Sequence, residues 1–159
     1  MATHRPALEA HTVAAVNASV YPEPFRSRVL PREKRRLGDA FGLTRVGINR
    51  TTLLPGKESS MRHWHTREDE FVYMLEGEVV LCSGAGEQLL TAGMCVGFPA
   101  GLEDGHQLVN RGDRPAIYLE VSNRDPEDSA HYSEPGVDMV WNAPHARGKI
   151  SRRDGKSTG

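Results

Sequence analysis

Cysteine is scarce in this chain, and the scarcity excludes whole classes of protein. Two thiols, Cys82 and Cys95, among 159 residues cannot build a disulfide framework, and neither lies in a Cys-x-x-Cys pair or at zinc-finger spacing from a histidine. They read as small buried hydrophobes in strands of a reduced protein. Excess charge of one sign is missing too: 20 Lys plus Arg against 21 Asp plus Glu leave a net charge of -1, which gives no global field for nucleic acid or an anionic membrane. Long apolar runs are also absent. The opening MATHRPALEAHTVAAVNASV is broken by His4, Arg5, Glu9, His11 and Asn17, so no signal-peptide core forms, and no later run nears membrane-spanning length. The expectation is a cytoplasmic protein with neither nucleic acid nor membrane as partner.

The length suits one domain with a sizeable core. Residues 1–40 are irregular, with the proline-rich YPEPFRSRVLPREKRRLGD and a basic run from Arg32 to Arg36, and predict an arm laid over the body. A basic run that short reads as a solvated face. From Phe41 to Ser122 short apolar segments alternate with Gly- and Pro-containing turns about every ten residues, the pattern of an all-β sandwich or barrel of roughly eight strands. No helical period of useful length interrupts them. Residues 123–159 turn polar again and predict a C-terminal extension anchored by Tyr132, Val137, Met139, Val140 and Trp141. Anchored arms at both ends suit a barrel that pairs with a copy of itself, so a homodimer is expected.

Within the barrel segment, MRHWHTREDEFVYMLEGE carries two histidines, two arginines and five carboxylates. Side chains alternate across a strand, so His63 and His65 share one face and Trp64 takes the other. On the next strand Glu70, Val72 and Met74 share a face, while Phe71, Tyr73 and Leu75 share the opposite one. Two imidazoles and a carboxylate form a cap suited to one divalent transition metal, Fe, Mn, Ni or Zn. Glu68 and Asp69 adjoin Glu70 and are alternatives for its place; strand parity and the distance to Gly77 favour Glu70. A further ligand is expected from another strand, and His106 follows a Pro-Gly-rich turn with Leu108 and Asn110 on its face. Glu103 and Asp104, in the loop before His106, are candidates for a general base, Glu103 foremost. Arg45, Arg50, Arg62 and Arg67 could hold an anionic substrate group, although outer-surface positions are the simpler reading of each. Tyr73 and Tyr118 could supply a phenol, but aromatic residues in strands usually pack.

Gly56, six residues, His63-x-His65, four residues, Glu70, six residues, Gly77 resembles the first sequence motif of the cupin superfamily. Gly93, five residues, Pro99-x-Gly101, then His106, three residues, Asn110 resembles the second. Each motif departs from the usual pattern by added residues, one before His63 and two before His106. The flanking text is similar to a bacterial subgroup of single-domain cupins, some of them labelled sugar-phosphate isomerases. The resemblance implies a double-stranded β-helix, or jelly-roll, barrel, with His63, His65, Glu70 and His106 as metal ligands. A metal so held keeps open positions. Three functions follow: isomerisation or epimerisation of a sugar-like small molecule, first in rank, Fe(II)-dependent oxidative cleavage, and ligand binding or sensing without turnover.

Overall fold

The computed structural model describes residues 6–135, 137, 139–142 and 149–152. Its strands are β1 (Ala15–Val16), β2 (Arg32–Arg36), β3 (Val46–Leu53), β4 (His63–His65), β5 (Glu70–Glu76), β6 (Glu78–Ser83), β7 (Gly86–Thr91), β8 (Cys95–Phe98), β9 (Gln107–Val109), β10 (Ala116–Asn123), β11 (Ser129–Tyr132), β12 (Met139–Asn142) and β13 (Lys149–Arg152). Two short helices, α1 (Phe25–Val29) and α2 (Leu37–Ala40), flank β2. Every pairing is antiparallel: one sheet runs β1-β2-β3-β10-β5-β8, a second β13-β12-β11-β4 and a third β7-β6-β9. The all-β expectation holds, and eight of these strands, β3 to β10, lie between residues 46 and 123. Among the described residues no helix is long and apolar enough to cross a membrane.

Alternation along β5 sorts its side chains as the pleat requires. Val72 and Met74 are buried while Phe71, Tyr73 and Leu75 face outward. The inward residues join Leu53, Val79, Leu81, Leu90, Leu108, Ala116 and Tyr118 in one apolar cluster. The turn from β5 to β6 needs Gly77, which has φ of 73°; an added Cβ would lie 2.7 Å from the Pro115 carbonyl oxygen. Asn110 is fully buried and staples the turn before β10, its Nδ2 donating to the Leu53 and Arg114 carbonyls at 2.8 Å each.

The flanking segments carry more regular structure than the sequence suggests. The basic run is strand β2, paired along its whole length with β3. The C-terminal segment supplies β11, which pairs directly with the histidine strand β4. A second apolar cluster joins both ends of the chain: Tyr21 and Val29 from one, Tyr132, Val137 and Met139 from the other, around Met61. Arg28 closes it with ion pairs to Glu58 at 2.9 Å and Glu134 at 2.8 Å. Such half-buried pairs fix geometry more than they stabilise. The cysteines also differ from expectation. Cys95 is exposed and Cys82 half-buried, because both fall at outward positions of their strands.

Candidate metal centre

Strand β4 is only three residues long, but it is pinned on both sides. Residues 63–65 pair with β11 in the register His63–Tyr132 and His65–Ala130. On the other side His63 and His106 exchange backbone hydrogen bonds of 3.2 and 2.9 Å, so His106 is carried to His63 by the main chain itself. The longer loop before His106 is held by two hydrogen bonds: Arg62 Nε donates to the Gly105 carbonyl at 2.7 Å, and Asp104 accepts from the Gly84 amide at 2.6 Å.

Glu70, at the start of β5, stands amid the three imidazoles. Its Oε2 is 2.8 Å from His106 Nε2 and 3.6 Å from His63 Nε2, and its Oε1 is 3.6 Å from His65 Nε2. Donor atoms of His63, Glu70 and His106 all lie within 4.8 Å of one another. The outer ring nitrogens fix the tautomers. His63 Nδ1 donates to the Met61 carbonyl at 2.8 Å and His65 Nδ1 to Asp128 Oδ2 at 2.6 Å, which turns the Nε2 lone pairs of both inward. The His106 ring stacks on Phe98 with 3.5 Å between centroids and 3° between planes.

This donor set fits a divalent transition metal on its own chemistry. Glu70 Oε2 is buried without a well-directed hydrogen bond despite its close imidazole neighbours, a condition that a cation would relieve. Burial pushes the Glu70 carboxyl up, but the imidazoles of His106 and His63 outweigh it and hold the group well below the usual range, so it is a carboxylate. Burial dominates at His106 and lowers it, keeping that ring neutral as ligation requires. At His65 burial also lowers, but the Asp128 hydrogen bond and the Glu70 charge together raise it.

Of the three adjacent carboxylates, Glu70 is the one inside the imidazole cluster. Glu68 instead accepts from the Asp125 amide at 3.0 Å, and Asp69 accepts from the Ala100 amide at 2.8 Å. Trp64 faces away and stacks on His131, as parity predicts. Glu103 is a correction: Leu102 and Asp104 of its loop line a small pocket with His65, Glu70 and His106, but Glu103 itself is exposed and does not line the main cavity. Arg45, Arg50, Arg62 and Arg67 do not line it either. Tyr118 does, from a buried position, whereas Tyr73 is exposed.

The centre opens onto a cavity of about 440 Å³, floored by Val72 and Leu108. Sequence reasoning missed three groups of its surroundings. Asp128, 1% exposed, orients His65 and also accepts from the Arg67 amide at 2.8 Å. Tyr132 and Trp141 enter the wall from the C-terminal segment. Arg32, Lys34 and Arg36 enter from β2, the run taken for a solvated face; alternation in a strand sends every second residue inward. Only that alternation, R-x-K-x-R, was there to be noticed.

The chain belongs to the cupin superfamily. The cupin domain family model matches residues 49–122. Among solved structures, a sugar phosphate isomerase of the cupin superfamily from Silicibacter pomeroyi is 40% identical over 97% of both chains, with a TM-score of 0.89. A candidate sugar phosphate isomerase from Acidithiobacillus ferrooxidans is 29% identical over 77% of both chains, with a TM-score of 0.69. The polyketide cyclase RemF from Streptomyces resistomycificus, 18% identical over 76% of this chain and 80% of its own at a TM-score of 0.61, shares the fold. No curated protein matches the chain.

Proposed function

We propose that the chain is a metal-dependent enzyme that isomerises or epimerises a small, sugar-like metabolite. The observation that carries this reading is the convergence of His63, His65, Glu70 and His106 at one wall of a cavity of about 440 Å³, large enough for such a molecule. The likeness to two proteins described as sugar phosphate isomerases supports it. A divalent ion on those four side chains supplies a Lewis acid that polarises a substrate carbonyl or holds neighbouring hydroxyls. The remaining tasks fall to the chain.

Two carboxylates line the cavity among the described residues, Glu70 and Glu120. Glu70 is committed to the imidazole cluster, which leaves Glu120 as the base. Lys34 Nζ lies 2.7 Å from it and Thr51 Oγ1 donates to it at 3.1 Å. Burial pushes the Glu120 carboxyl up, but Lys34, Arg32 and Thr51 outweigh burial and keep it ionised. As an anion it takes a proton from the carbon beside the substrate carbonyl and returns it to the carbonyl carbon, while the proton of the adjacent hydroxyl passes to the carbonyl oxygen, so one C–H bond replaces another and nothing else is consumed. Val72 and Leu108 give that step an apolar floor.

The test is to load the metal-free chain separately with Fe(II) and Mn(II) and screen sugar phosphates, small diols and enols while recording O2. Turnover without O2 uptake is expected, with Glu120→Gln lowering kcat at least roughly a hundredfold at unchanged metal content. O2 consumption that needs both Fe(II) and substrate would contradict the reading, and so would saturable binding without turnover.

A further inference from the structure

Strand β2 places a row of cations along the cavity, from half-buried Arg32 and Lys34 to exposed Arg36, and the ligand class follows from it. Its register with β3 sets Arg32 opposite Leu53, Lys34 opposite Thr51 and Arg36 opposite Asn49. Leu53 and Thr51 are fully buried, so that face is the inner one. Glu33 and Arg35 alternate to the outside, where Arg35 donates to the Val13 carbonyl. Across β10 the same rows continue: Asn49 faces Glu120, which faces Val72 on β5, while Gly47 faces Ser122, which faces Glu70. Arg36 therefore stands one row along and three strands across from Glu70, roughly 16 Å measured over the sheet and less through its curved lumen.

The three cations differ in how they are used. Lys34 is taken by Glu120. Arg32 gives one Nη to the Ser59 carbonyl, but its Nε is buried with no hydrogen-bond partner. Arg36 makes no ion pair or side-chain hydrogen bond with any described residue. The cavity's charged lining is Arg32, Lys34 and Arg36 against Glu70 and Glu120, an excess of one positive charge that a divalent ion raises to three. A buried guanidinium nitrogen without an acceptor, beside a guanidinium that no described residue engages in a cationic cavity, calls for an oxyanion.

We propose that Arg32 and Arg36 form the anion clamp of this site, gripping the phosphate or carboxylate of a ligand whose oxygen-rich end reaches the metal. The proposal rests on the enzymatic reading above and narrows it to anionic substrates. Guanidinium forks match a planar or tetrahedral oxyanion in two hydrogen bonds each, which a lysine at the same place does not.

The experiment is calorimetric titration of the full chain with inorganic phosphate and, separately, with acetate, both metal-loaded and after stripping with a chelator, with metal content measured on each sample. Saturable phosphate binding is expected in both forms, weaker without the ion. Arg36→Met, at an exposed strand end, should weaken it roughly tenfold or more at unchanged metal content, and Arg36→Lys should restore part of the loss. Arg32→Met gives a second reading. Acetate binding tighter than phosphate makes the anion a carboxylate; the reverse makes it a phosphate, and the clamp stands in both cases. Phosphate binding that vanishes with the ion, or that neither substitution weakens, overturns the clamp. Absence of metal from the loaded chain overturns the enzymatic reading instead, because the titration of the stripped chain reports the clamp alone.

Discussion

Asp128 touches the candidate metal centre through His65. It holds His65 in the tautomer that points Nε2 inward, and such outer partners typically contribute ten- to a hundredfold to metal affinity. Asp128→Asn is expected to weaken metal binding by about that factor in a chelator competition, with the fold retained by circular dichroism. Its titration has a definite sign. Burial pushes the Asp128 carboxyl up, but the His65 hydrogen bond and the Arg67 and Glu68 amides outweigh it and hold it below the ordinary range. Stability from that lowered pKa is present above the unfolded carboxylate's pKa and lost as pH falls through the folded one. Glu70 and Glu120 carry the same sign. Through these three carboxylates the urea midpoint of the metal-free chain should fall below about pH 4, and Asp128→Asn should flatten part of that fall. A midpoint that rises on acidification would contradict these assignments. His63 and His65 were legible in the sequence because strand parity puts them on one face, and Glu70 because parity and its spacing to Gly77 set it apart from Glu68 and Asp69. Asp128 was not, since it comes from 63 residues away and no local spacing announces it.

At the scale of elements, the candidate metal centre is built where β4 is held between β11 and the residue before β9. Tyr132 pairs opposite His63, packs on Tyr21 with ring centroids 5.7 Å apart, and belongs to the cluster that joins the chain's two ends. Tyr132→Ala should cost about 3 to 5 kcal/mol of stability and lower metal affinity as well, because it loosens β4. Leu90→Ala, in the other cluster and 1% exposed, should cost about 2 to 5 kcal/mol with metal affinity unchanged. Urea unfolding alongside metal titration separates the two; equal effects on affinity would contradict the division of labour. Strands β3 to β10 were readable because their apolar residues alternate between punctuating turns. β2 was not, because a strand whose inward residues are Arg32, Lys34 and Arg36 has no apolar alternation to detect. β11 to β13 are short and mostly polar, and their partners are distant in sequence, so only tertiary pairing makes them strands.

For the whole molecule, the homodimer is a proposal, and its grounds differ from those in the sequence. Met139, one of the tail anchors that suggested it, is buried within its own chain. The outer face of β5 instead presents Phe71, Tyr73 and Leu75 at 42, 40 and 37% exposure. We propose that a second copy covers this row, since one patch facing its own copy across a two-fold axis buries it twice. Light scattering should give twice the 17.5 kDa chain mass, and Tyr73→Glu should return the monomer; a monomeric native chain would remove the proposal. The central claim is that His63, His65, Glu70 and His106 hold a metal ion, and elemental analysis of the chain purified without chelator tests it most directly. About one Fe, Mn, Ni or Zn per chain is predicted, lost on His65→Ala or Glu70→Ala and kept in Glu103→Ala. A native chain that contains none and takes up none of the four would contradict the account.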